Sequence, residues 1–269
     1  MSMARGSCSN ESVSADSMTA EIWMAEAGPQ DAPLISMIHG SMDRSAGMLR
    51  VSRVLGAAWR VLRYDRRGYG KSAPHAGPFG LDHQVADLVD ALAGRRAVLF
   101  GHSYGGNVAL AVADRHPELV AGVAVYETPL SWHEWWPGTT AGATALATQG
   151  DPADAAERFM RRLIGENRWN RLPPSSRADR RAEGPAMVGE LTDLRQRPAW
   201  EADRVTVPVV AMFGEFGAPH HRSAMELLSA ELINCSTTMI PGARHFGPNT
   251  HPEQVAAAIT ELAQAVHPG

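Results

Sequence analysis

Ala97-Val98-Leu99-Phe100-Gly101-His102-Ser103-Tyr104-Gly105-Gly106 is the stretch on which the reading of this chain turns. Its first four residues are an apolar run of the kind that fills a strand buried on both faces. Gly105 to His116 then carries small and apolar residues at helical spacing, among them Ala109, Ala111 and Ala113. Between strand and helix stands Gly101-His102-Ser103-Tyr104-Gly105, a G-x-S-x-G turn. Such a turn is so tight that neighbouring Cβ atoms would clash, hence the glycines, and it thrusts the serine out above the sheet. A chance glycine-rich turn is the bland alternative. The strand before it and the helix after it favour a nucleophile.

Outward from this turn, short β-type runs alternate with amphipathic helical stretches, as in a largely parallel sheet covered by helices. Strands are expected at 21–27, 33–39, 60–65, 97–101, 120–127, 207–214 and 236–241. Helices are expected at 47–58, 81–92, 105–116 and from Pro252 onward, where Val255, Ile259, Leu262 and Val266 share a face. The alternation breaks over 128–204, which has helical signals and no convincing strand. Asp151-Pro152 reads as an N-cap with a first-turn proline, and Pro185 opens a second helix. Five of the chain's tryptophans, Trp132, Trp135, Trp136, Trp169 and Trp200, fall in this segment. The expected organisation is therefore α/β: a loose tail at 1–17, a core at 18–127 and 205–269, and a helical cap inserted at 128–204.

The elbow resembles that of the α/β-hydrolase family, and other segments support the likeness. His39-Gly40-Ser41 closes a strand as an H-G turn does in that family, where the following N–H supplies half of an oxyanion hole. The resemblance thus points to the N–H groups of Ser41 and Tyr104, with Met42 as the fallback for Ser41. Asp65-Arg66-Arg67-Gly68-Tyr69-Gly70-Lys71-Ser72 resembles the family's D-x-R-G-x-G-x-S loop, read as scaffold with Arg67 held by salt bridges. A phosphate-loop reading fails because Asp65 stands where the first glycine is required. His39 is expected to order its loop rather than transfer protons.

The base implied by the resemblance is His245, in Pro241-Gly242-Ala243-Arg244-His245-Phe246 after the last strand, although the family usually carries a small residue where Arg244 stands. The acid stays open. Its commonest place, a G-x-x-D turn after the penultimate strand, reads Gly214-Glu215-Phe216-Gly217 here. Other members carry the acid one strand earlier, where this chain has Glu127. Glu127 is favoured on position, with Glu215 as the alternative and a triad lacking a true acid as the third outcome. His220 and His221 are expected on a loop, as solvated or rim residues. Relatives that open epoxides or displace halide carry aspartate at the elbow, so a serine there implies acyl transfer.

Composition bounds the rest. At about 150 residues per domain, 269 residues suggest one large core with an insertion, or nearly two domains. Net charge is −4, which favours neither nucleic acid nor an anionic membrane. Lys71 is the only lysine among 25 cations, a bias towards Arg for which a coding origin suffices. Cys8 and Cys235 cannot form a disulfide framework, and neither has metal-ligand spacing. No HEXXH or G-x-G-x-x-G pattern is present, so no metal or cofactor is expected. No signal peptide or spanning run is read, so a soluble, cytoplasmic protein acting on a small molecule is expected. Trp132, Trp135 and Trp136 follow the strand bearing Glu127 and are expected near the mouth of an apolar pocket. Cap charges nearly cancel and name no ionic handle. The expected activity is hydrolysis of a small apolar or aromatic ester through an acyl-enzyme. Thioesters, lactones, C–C bonds, acyl transfer and perhydrolysis use the same machinery, and a non-catalytic ligand binder is the reading from another class.

Overall fold

The computed structural model describes residues 22–147 and 149–268. The proposed tail at 1–17 and Cys8 lie outside the described residues. Seven strands form one sheet: β1 Met24–Ala27, β2 Leu34–Ile38, β3 Arg60–Tyr64, β4 Ala97–His102, β5 Val120–Tyr126, β6 Val209–Gly214 and β7 Cys235–Ile240. Their spatial order is β1-β3-β2-β4-β5-β6-β7. β1 pairs antiparallel to β3, and every other pairing is parallel. This is a mostly parallel α/β sheet with helices on both faces.

Burial follows the sequence pattern. Every residue of β2, β4 and β5 is buried, which is why these strands read as continuous apolar runs rather than alternating ones. One face is covered by α1 Leu49–Leu55 and, at the chain's end, a long helix Pro252–Val266, through Val51, Leu55, Val255 and Ile259. The other face is covered by α2 Leu81–Leu92 and α3 Tyr104–Arg115, through Leu88, Val108 and Val112.

Between β5 and β6 the chain forms α4 Ala141–Leu146, α5 Pro152–Ile164, α6 Glu166–Arg171, α7 Pro174–Ala182 and α8 Gly184–Asp193. Asp151 caps α5, its Oδ1 accepting the Ala153 N–H at 2.8 Å. Patterning missed α4, α6 and α7, which are short or carry little apolar periodicity; α7 has no buried residue. Trp169 and Trp200 are buried in the apolar core that this segment shares with the sheet face.

A polar lock ties this segment down. Arg66, from the loop after β3, pairs with Glu190 of α8 at 2.6 Å, both side chains fully buried. The Tyr69 hydroxyl donates to the same carboxylate at 2.6 Å. Glu190 attracts the guanidinium strongly enough to hold it charged despite burial, its pKa raised. Removing one partner of such a pair typically costs about 3–5 kcal/mol, because a buried charge is left alone. Arg67, by contrast, holds the same loop to α2 through Asp87 at 2.5 and 2.6 Å. Past β6 come α9 Pro219–Glu231, then, after β7, α10 Gly247–Thr250 and α11, the long Pro252–Val266 helix. Among the described residues no helix is long and apolar enough to cross a membrane.

Candidate active site

β4 delivers Ser103 at φ 53° and ψ −126°, a conformation that residues with a Cβ rarely adopt. The strained serine is pinned by its N–H to Tyr126 O at 2.8 Å and by Gly106 N–H to Ser103 O at 2.9 Å. A Cβ on Gly101 or Gly105 would run into backbone atoms of Gly106 or Ile38, so the turn closes only with glycine at both places. α3 begins at Tyr104, whose N–H therefore lies in the first turn and has no intrahelical acceptor. The close approach of the β2 loop is equally direct: a Cβ on Gly40 would lie 3.0 Å from Ser103 Cβ. Ser41, next in that loop, lines both cavities that border Ser103, whereas Met42 lines one of them.

His245 lies between β7 and α10, and its Nδ1 meets Glu127 Oε2 at 2.7 Å. Glu127 is fully buried directly after β5, with φ 47°. Its other oxygen accepts the Gly214 N–H at 3.0 Å. Both carboxylate oxygens are thus engaged, and the imidazole keeps Nε2 for a proton. Glu215 is elsewhere: it is exposed, and its Oε2 accepts the Gly242 N–H at 2.8 Å, bracing the turn after β7. Gly217 occupies the position where an aspartate is commonest in the family, and sterics explain the exchange. A Cβ at 217 would overlap Glu127 Oε1. The carboxylate arriving from β5 fills the space that a side chain from the β6 loop would need.

Two further side chains hold the His245 loop. His102 Nε2 meets His245 O at 2.8 Å, and the Tyr126 hydroxyl donates to Arg244 O at 2.8 Å. On the opposite side the Arg66 N–H donates to His39 Nε2 at 2.9 Å. His39 Nε2 is therefore an acceptor, and Nδ1–H donates to Gly40 O at 2.8 Å. Arg66 also donates to His39 O and Gly40 O, at 2.9 and 3.1 Å. His39 thus orders the Gly40-Ser41 segment. His102 carried no sequence signal beyond its place inside the elbow.

The expectation for His220 and His221 needs correcting. They lie in the first turn of α9, not on a free loop, and His221 is largely buried. Its ring stacks on His245 with centroids 4.7 Å apart and planes 18° apart, and its Nε2 is 4.0 Å from Glu127 Oε2. Pro219, a first-turn proline, was the available signal for this helix. One ligand atom from each of Glu127, His221 and His245 falls within 4.8 Å of the others. This is a donor set that linear spacing could not reveal. A divalent ion seated there would have to displace the Glu127–His245 hydrogen bond.

Ser103 and His245 border two cavities, of about 320 and 470 Å³. The smaller is walled by Trp136, Phe159, Leu163 and Leu191. Of the three tryptophans expected there, Trp136 takes the place, edge-on to His220 at 4.8 Å. Trp132 instead packs edge-on against Trp200 at 5.8 Å, and Trp135 is exposed beside His133. Neither lines these cavities, because the Trp132–Trp136 turn presents successive rings to core, solvent and site.

Residues 37–258 match the model of the alpha/beta hydrolase family. The chain belongs to this family. Among curated relatives, it is 25% identical over 248 residues to 2-(acetamidomethylene)succinate hydrolase of Mesorhizobium japonicum, covering 87% of this chain and 88% of that one. It is 33% identical over 108 residues to epoxide hydrolase 4 of Mus musculus, a match spanning 38% of this chain and only 30% of the relative's length. Among solved structures, an esterase from Thermogutta terrifontis superposes with a TM-score of 0.72 at 22% identity, covering 91% of this chain and 94% of that one. That likeness is one of fold.

Three buried imidazoles of this α/β hydrolase carry a stability signature. Burial, followed by the Arg66 charge, holds His39 well below the usual histidine range. Burial pushes His102 to about 3, and burial with the neighbouring histidines pushes His221 well down. A histidine depressed in the folded state is neutral there while the unfolded chain takes up a proton below about pH 6.5. Stability is therefore fully present above that pH and falls as pH drops towards the folded values. Each of the three can contribute up to about 1.4 kcal/mol per pH unit. Urea unfolding midpoints should decline from pH 7 to 5, above the range where carboxylates titrate, and His102→Gln should flatten the slope. A midpoint that stays level across this interval refutes the assignment.

Proposed function

We propose that the protein is a serine hydrolase that cleaves an acyl ester of a small, largely apolar substrate through an acyl-enzyme. The observation that carries this reading is the 2.7 Å hydrogen bond between buried Glu127 and His245, which lines the same two cavities as the strained Ser103. Ser103 Oγ attacks the acyl carbonyl while His245 Nε2 takes its proton. Glu127 orients the ring and stabilises the imidazolium. The developing oxyanion is received by the N–H groups of Tyr104 and Ser41, the Met42 N–H being the fallback, at about 3–4 kcal/mol of barrier for each donor. The alcohol leaves with the proton from His245, and water, deprotonated by the same imidazole, releases the acid. Residues 128–204 serve as a cap whose Trp136, Phe159 and Leu191 give the smaller cavity its apolar wall.

Epoxide opening, the activity named for one relative, fits this site less well. Alkyl transfer to an elbow residue is completed by water attacking a carboxylate carbon, which Ser103 lacks. The reading as a non-catalytic binder rested on Gly217, and Glu127 supplies a steric reason for that glycine. A fluorophosphonate probe should label the wild type and not Ser103→Ala, and the same substitution should abolish turnover of p-nitrophenyl acetate above background. Equal hydrolysis by both forms would refute the proposal.

A further inference from the structure

The smaller cavity beside Ser103 carries two cations and, among the described residues, no carboxylate on its wall. Arg195 and Arg162 line it, together with the hydroxyl-bearing Ser131, Thr139 and Thr140. Several other arginines meet acids: Arg66 meets Glu190, Arg67 Asp87, Arg181 Asp154 and Glu157, and Arg197 Asp82. Arg195 does not. Its Nη1 donates to Leu191 O at 2.7 Å, and its other terminal nitrogen lies beside Gly142. Arg162 donates from Nε to Thr139 O at 3.2 Å and likewise makes no ion pair with an acid among the described residues. The nearest negative charge in the reacting machinery, Glu127, already holds His245 and the Gly214 N–H. Burial lowers the pKa of Arg195 with no charged group opposing it, but guanidinium remains charged at neutral pH. A partly desolvated guanidinium at a cavity wall is an uncompensated cost unless the occupant supplies the counter-charge. The larger cavity differs, because its arginines share the wall with Asp43.

We propose that the smaller cavity is an anionic subsite in which Arg195, assisted by Arg162, binds a carboxylate carried by the substrate. This rests on the hydrolase reading above and narrows it to half-esters of dicarboxylic acids or esters of hydroxy acids. A planar guanidinium matches a carboxylate in a two-point contact that a neutral ester cannot make. The apolar wall of Trp136, Phe159 and Leu191 takes the carbon chain between the carboxylate and the scissile carbonyl. The near cancellation of charge along 128–204 hid this handle, because a net charge does not say which arginines face a cavity whose wall carries no acid among the described residues.

The test compares kcat/KM for matched esters. Monomethyl glutarate and monomethyl adipate, set against methyl hexanoate and methyl heptanoate, place the carboxylate on the acyl side. 4-Acetoxybutyrate, set against pentyl acetate, places it on the alcohol side. In at least one arm the anionic ester should be preferred, and Arg195→Gln should cut the anionic-to-neutral ratio by about 30-fold or more. Arg195→Lys should keep part of the ratio. Arg197→Gln, which removes a neighbouring cation paired with Asp82 away from the cavity, should leave it unchanged. A wild type that prefers the neutral ester in both arms overturns the inference. So does an Arg195→Gln variant that loses both activities equally, or an Arg197→Gln variant that lowers the ratio as much. If no ester turns over above Ser103→Ala, the hydrolase reading fails, and titration calorimetry with glutarate decides the subsite alone. Binding weakened at least about tenfold by Arg195→Gln upholds it; absent or Arg195-independent binding overturns it.

Discussion

Glu127→Gln should lower kcat for a fast ester by about 10³- to 10⁴-fold with little change in KM. The substitution keeps size and one acceptor oxygen but removes the charge that the imidazolium needs as it forms. In the folded protein Glu127 Oε2 meets His245 Nδ1 at 2.7 Å, and among the described residues no second carboxylate bonds that ring. Glu215→Gln should stay within about twofold, since Glu215 meets a backbone N–H of the β7 turn. Steady-state kinetics on both variants separates them. If Glu215→Gln shows the large loss and Glu127→Gln does not, the acid has been misassigned. Because Glu127 is fully buried, thermal unfolding of Glu127→Gln should be followed alongside, so that loss of fold is not mistaken for loss of chemistry.

Gly217→Asp should cost at least about 10²-fold in kcat/KM, even though it installs the commonest acid of the family at its usual place. The new Cβ would occupy the space of Glu127 Oε1, so either the carboxylate leaves His245 or the β6 loop shifts. Removing the obstruction should reverse the sign. Glu127→Gly suits the φ of 47° at that position and clears the space. Glu127→Gly/Gly217→Asp should therefore recover at least about tenfold over Glu127→Gly alone. If the double variant is no better than the single one, the two positions do not serve as alternative homes for one carboxylate.

Much of the catalytic reading was legible because it is local. The elbow declares itself within ten residues, since strand, tight turn and small-residue helix must follow one another along the chain. His245 was legible for a similar reason, as a histidine on the loop after the last strand. Glu127 was legible only as one of two choices. Its contact with His245 spans 118 residues, and no periodicity encodes which of two loops will meet a third. His221 was misread because its burial comes from Glu127 just after β5, from His245 and from Trp136, all distant in sequence. Trp132, Trp135 and Trp136 could be placed near the site as a group. Which ring enters the cavity depends on the course of an irregular turn, and Trp136 does.

Chain order and local chemistry alone thus pointed to a mostly parallel α/β sheet, a helical segment after β5, a serine at a tight strand-to-helix turn and a histidine on the loop after the last strand. These follow from hydrophobic period and from glycine at a tight turn, which act between near neighbours. Packing settled the remainder. It set Glu127 rather than Glu215 against His245, gave Gly217 its steric reason, stacked His221 on His245, locked α8 to the β3 loop through Arg66 and Glu190, and left Arg195 facing a cavity with no acid on its wall among the described residues. All of these are contacts or vacancies between segments distant in sequence, set by how volumes and charges fit once the chain has folded.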